Sequence, residues 1–85
     1  MGKSSNTVLL PEARLEGLRN RLGTTVRARR RAAGLTQSEL ADPLTKAYVA
    51  LLEAGRVLPS LPAFIALAER LGVAPDELLR EVNAH

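Results

Sequence analysis

The sequence predicts an all-α bundle of five or six short helices. Apolar residues recur at three- and four-residue spacing from Leu15 to Val82, the period of a helix with one buried face. No segment alternates apolar and polar residues as a half-buried strand does. Start and stop residues also punctuate the chain. Thr36, Thr45 and Ser60 precede apolar runs, and Gly34, Gly55 and Gly72 follow them.

Residues 1–7 read as a polar tail, and Val8, Leu9 and Leu10 lead into Pro11, a good first-turn residue. From Glu12, leucines fall at 15, 18 and 22, followed by Val26. Gly17 and Gly23 interrupt this stripe, so a break is expected near Gly23, with one helix over 12–22 and another over 24–33. Gly34 ends the second. Thr36-Gln37-Ser38-Glu39 matches a capping box, in which the Thr hydroxyl and the Glu carboxylate each accept from the other residue's amide. Leu40 and Ala41 then face inward, and Pro43 stops the helix because it disfavours helical geometry at Asp42 and has no amide hydrogen. Thr45 caps the next helix, whose buried stripe is Val49 and Leu52, and Gly55 closes it. After the loop 56–59, Ser60 caps SLPAFIALAERLG, where Leu61, Phe64, Ala68 and Leu71 repeat at helical spacing before Gly72. Pro75, Asp76 and Glu77 open the last helix with negative charge at its positive end, and Leu78, Leu79 and Val82 supply its apolar side.

The 85 residues suffice for one domain with one small core. There is no cysteine, hence no disulfide or thiolate metal site, which fits a reducing, cytoplasmic location. The single histidine, His85, is the last residue and a poor base or metal ligand. No cofactor is expected. No apolar run approaches a membrane span, and there is no signal-peptide pattern. The start MGKSSN is similar to a myristoylation signal, but Asn6 stands where Ser or Thr is required, so a plain polar N-terminus is the preferred reading. No nucleophile lies near a base and no glycine loop could cradle a phosphate, so the pattern is not that of an enzyme.

Charge is unevenly spread. Lys3 and seven arginines against Glu12 and Glu16 give residues 1–34 a net +6, whereas four basic and seven acidic residues give 35–85 a net −3. Such asymmetry fits either a face for a polyanion or an ordinary solvated helix. Within RARRR at 27–31, Arg27 and Arg31 are four apart and share one face. They are candidates for phosphate contacts, ahead of Arg29. Arg56, in the loop after the third segment, is another.

GLTQSELA, TKAYVALLEAG, the Pro59-Ser60-Leu61 step and LAERLGVAPDELL together resemble the lambda-repressor-like, Cro/C1-type helix-turn-helix family over about two-thirds of the chain. The resemblance implies one DNA-binding domain over 22–83; residues 1–21 lie outside it and read as an N-terminal tail that either adds an extra helix to the core or serves as an arm. It implies that the helix from Thr36 lies across the duplex backbone, with Gln37 bonding a phosphate, while the helix from Thr45 enters the major groove. Lys46, Ala47, Ala50 and Leu51 would then face the bases. Tyr48 could add a phenolic contact to phosphate, although its family place packs the ring half against the bundle. Arg30 and Glu53 match a family ion pair that joins the first helix to the end of the reading helix.

The sequence departs from the family pattern at two points. Members usually have five residues, including a turn glycine, between the inward Ala of the second helix and the next cap. Here there are only Asp42, Pro43 and Leu44. Of the four groove positions, only Lys46 can read a base by paired hydrogen bonds.

Val57 and Leu58 are apolar in a loop the family keeps polar. They fit a two-fold homodimer contact beside the reading helix, or packing under Val8, Leu9 and Leu10. The leading functional reading is a sequence-preferring, double-stranded-DNA-binding repressor, acting as a homodimer and regulated through its concentration, proteolysis or a partner protein. The competing reading is a protein-interaction module such as an antitoxin, anti-repressor or adaptor, which the apolar face of Ala47, Ala50 and Leu51 would suit.

Overall fold

A computed structural model describes residues 11–84. Expectations placed on residues 1–10 and on His85 lie outside the described residues. The order is α1 (Glu12–Ala32), α2 (Gln37–Ala41), α3 (Lys46–Glu53), α4 (Leu61–Leu71) and α5 (Pro75–Asn83), with no strand among the described residues.

The expected break at Gly23 is absent: α1 is one helix of 21 residues, and the extra helix is its first half. The glycine serves an approach, not a bend. A β-carbon built on Gly23 would lie 2.5 Å from the carbonyl oxygen of Leu52 and 2.8 Å from that of Glu53. α1 thus crosses the end of α3 almost backbone to backbone. Glycine costs a helix about 1 kcal/mol relative to alanine, and packing on both sides of it keeps the helix continuous.

α2 opens on the expected capping box. Thr36 Oγ1 accepts from the Glu39 amide at 3.1 Å, and Glu39 Oε1 accepts from the Thr36 amide at 2.8 Å. That amide's hydrogen bond holds the Glu39 carboxyl below the usual carboxylate range, so it stays ionised at a helix N-terminus, where negative charge is favoured. The helix stops at Ala41 because Asp42, ahead of Pro43, takes ψ 127°. Three residues then suffice to reach the cap at Thr45, with Leu44 half-buried against the core. The connection is tight because Pro43 ends α2 at Ala41, leaving three residues before the Thr45 cap.

Leu22 and Val26 of α1, Leu40 and Ala41 of α2, Val49 and Leu52 of α3, Leu67 of α4 and Val82 of α5 meet in one cluster. Ala68, Val73 and Leu78 form a smaller one, and Phe64 and Leu71 pack against both. Two expected stripes need correction. In α4 the inner face is Phe64, Leu67, Ala68 and Leu71, and Leu61 is 71% exposed. In α5 only Leu78 and Val82 point inward, and Leu79, about 100° further round the helix, is 49% exposed.

Polar ties complete the bundle. Arg29 holds Glu81 of α5 through two bonds, Nε to Oε1 at 2.8 Å and Nη2 to Oε2 at 3.0 Å. Those hydrogen bonds and the carboxylate charge raise the Arg29 pKa. Arg70 of α4 donates to the carbonyl of Glu39 in α2.

Candidate nucleic-acid interface

α3 is an eight-residue helix, about 12 Å long at 1.5 Å per residue. Thr45 Oγ1 caps it by accepting from the Tyr48 amide at 3.1 Å. Val49 and Leu52 are completely buried. Lys46, Ala47, Ala50 and Leu51 share the opposite face. Lys46 and Ala47 are exposed, Ala50 is half-buried and Leu51 is 47% exposed. The Tyr48 ring packs against the core, and its burial pushes the phenol pKa up. That half-buried place matches the packing role more than a free contact with phosphate.

The C-terminal end of α3 is held by a polar hub. Arg30 Nε donates to Glu53 Oε2 at 2.6 Å and Nη2 to Oε1 at 3.0 Å, while Nη1 donates to the Leu35 carbonyl at 2.8 Å. The two side chains are only 11% and 4% exposed. The hydrogen bonds to Glu53 raise the Arg30 pKa against the opposing effect of burial. Gln37 Nε2 also donates to Glu53 Oε1, at 3.1 Å. The Gln37 amide is therefore already engaged inside the protein, and only its second N–H is available for a phosphate. One carboxylate thus ties α1, the start of α2 and the end of α3 together. It also lets a negative charge sit at a helix C-terminus, where alone it would be unfavourable.

The five-residue basic run divides its work. Arg27 and Arg31 are exposed, make no ion pair among the described residues, and border a cavity of about 360 Å³ beside Glu53. Arg30 enters the hub, and Arg29 turns the other way to Glu81. Gly55 takes φ 77°, a region open to glycine, and the amides of Gly55 and Arg56 bond back to the carbonyls of Leu52 and Leu51 at 3.1 and 2.9 Å. This turn leaves Arg56 exposed directly after α3. Beyond it, Val57 packs against the core, whereas Leu58, 37% exposed, lines an apolar groove of about 310 Å³ with Leu18, Leu61, Phe64 and Leu79.

A family model described as a helix-turn-helix domain matches residues 21–82. The chain belongs to the helix-turn-helix domain family. Its fold is similar to crystal structures of the clp gene regulator ClgR from Corynebacterium glutamicum. One matches at 30% identity and a TM-score of 0.71 over 79% of this chain and 90% of that one, and a second at 30% and 0.73 over 79% and 73%. It is also similar to the restriction-modification controller protein C.AhdI from Aeromonas hydrophila, at 35% identity and a TM-score of 0.68 over 71% and 94%. A comparison with curated proteins gives no significant match.

Three features of this helix-turn-helix domain are not legible in the sequence: the engagement of Gln37 by Glu53, the Arg29–Glu81 pair and the role of Gly23. The Arg29–Glu81 pair spans 52 positions, and no local pattern announces it. Gly23 carried a signal, a glycine inside an otherwise regular apolar stripe, but such a residue marks either a break or a close approach, and only the position of α3 decides between them.

Proposed function

We propose that this helix-turn-helix protein binds double-stranded DNA and acts as a small transcriptional repressor, with α3 in the major groove. The observation that carries the reading is the division of α3: one face wholly in the core, the other presented outward, and its end clamped by Arg30 and Glu53. A helix of this size fits a groove about 12 Å wide. The regulators it resembles support the same reading.

Lys46 is the base-reading donor in this account, aimed at guanine O6 and N7. Ala47, Ala50 and Leu51 meet thymine methyl groups, and duplex shape sets the rest of the preference. Arg27, Arg31, Arg56 and the second N–H of Gln37 hold phosphates, while Tyr48 packs against the core. The direct experiment is a titration of the protein with a duplex of arbitrary sequence at increasing salt. Binding should be measurable at low salt and weaken steeply as salt rises. Arg27→Ala with Arg31→Ala should weaken binding to all sequences alike and flatten the logarithmic salt dependence by about one unit per lost contact. An unchanged slope would remove these two residues from the interface.

A palindromic site calls for a two-fold protein, and we place the contact at the loop of Val57 and Leu58. Leu58 offers the exposed apolar surface, and Val57 supports it from the core side. Leu58→Glu should shift the free protein toward monomer in sedimentation equilibrium and weaken binding to paired half-sites. A mass that stays dimeric would move the interface elsewhere.

A further inference from the structure

Five large apolar side chains are exposed among the described residues. Leu51 belongs to the outward face of α3. Three of the other four, Leu58, Leu61 and Leu79, line the groove between the loop after α3, α4, α5 and α1, with Leu18 and Phe64 deeper in it. Every residue lining that groove is apolar. The fourth, Ile65, follows Leu61 by one turn of α4 and prolongs the same surface. Single exposed leucines are ordinary, but a contiguous set on so small a bundle marks a contact surface.

We propose that a second copy of this chain covers the groove, with Leu61 of each protomer entering the groove of the other. The inference rests on the two-fold DNA binding proposed above and extends its contact from the loop at Leu58 to α4 and α5. Three observations favour a second copy over a different partner. The groove begins at Leu58, five positions after Glu53 ends α3, so a contact there sets both reading helices beside one axis, as an inverted repeat requires. A two-fold contact must also be self-complementary. This surface carries both a projecting leucine, 71% exposed, and an apolar recess of about 310 Å³; an apolar cavity of about 150 Å³ already holds a benzene molecule. Finally, the charged neighbours of Leu18 and Leu79 along their helices are paired within the chain, Arg19 with Glu12 and Arg80 with Asp76. Two copies can therefore meet here without facing unpaired like charges, whereas the face of Arg27, Arg31 and Arg56 would repel its own copy.

The test is sedimentation equilibrium of the full chain beside Leu58→Glu, Leu61→Glu and Leu79→Glu, with circular dichroism to follow helix content. All three positions are exposed, and Leu61 opens α4, where a negative charge suits the helix N-terminus, so that variant keeps its fold. The wild type should dimerise. Leu61→Glu and Leu79→Glu should each weaken self-association at least about tenfold, because a buried leucine is lost from both halves of the contact. The measurement needs no DNA, so it does not depend on how α3 reads bases. If Leu58→Glu alone dissociates the dimer, the contact is confined to the loop; the inference is then overturned and the two-fold reading stands. If all three variants stay dimeric, the inference falls together with the contact at Leu58. A wild type that stays monomeric at its highest soluble concentration would also overturn the inference, and would leave the groove to residues 8–10 or to another protein.

Discussion

Gly23→Ala is expected to destabilise the protein, although alanine is the better helix former. The substitution gains about 1 kcal/mol of helix propensity. It also places a methyl group 2.5 Å from the carbonyl oxygen of Leu52, well inside contact distance, against backbone that no rotamer change can move. Overpacking of this kind costs about 1–3 kcal/mol and sometimes more. The clash wins here because the obstructing atoms belong to the end of α3, itself clamped by Glu53. A net loss of about 1–2 kcal/mol would lower the melting temperature by roughly 5–10 °C for a domain this small. Gly17→Ala is the control. A β-carbon at Gly17 meets only the Nη1 end of the flexible Arg21 side chain, at 3.3 Å, so that variant should keep or raise the melting temperature. If both variants raise it equally, the close crossing of α1 and α3 is wrong.

Arg30→Met is expected to cost about 3 kcal/mol, because it leaves the Glu53 carboxylate buried without its cation. Glu53→Gln, which strands a guanidinium that is 11% exposed, should cost a comparable amount. The double variant should be less damaged than the two losses combined, with a coupling of about 1–3 kcal/mol in unfolding free energy. Simple additivity would show that the two groups do not act on each other. Because Glu53 also receives Gln37, losing it frees the start of α2 as well as the end of α3. DNA affinity should then fall along with stability.

Much of this architecture is legible in the residues. The caps at Thr36, Thr45 and Ser60 are local signals, each a hydroxyl that accepts from the amide three positions on. The shortened turn follows from Pro43 alone. Long-range geometry is less visible. Whether Gly23 bends α1 or admits α3, and whether Arg29 faces solvent or Glu81, depends on where other helices lie. Leu61 and Leu79 fit an apolar period as well as Leu67 and Val82 do, yet they stay exposed, because periodicity marks a stripe without saying how much of it a small bundle can cover. In the candidate interface, the outward set on α3 follows once Val49 and Leu52 are buried. The use of Gln37 inside the hub does not, since a glutamine at a helix start suits a phosphate equally well.

The most direct measurement is enrichment of bound sequences from a pool of random duplexes, run with the wild-type protein and with Lys46→Ala. An enriched half-site with one guanine beside one or more thymines is expected, repeated in inverted orientation about one helical turn away. Lys46→Ala should enrich the same site with the guanine position relaxed, a loss of about 1–3 kcal/mol there if the contact is bidentate. A wild-type pool that emerges without sequence preference would contradict the claim that α3 reads the major groove, as would a site whose guanine survives Lys46→Ala unchanged.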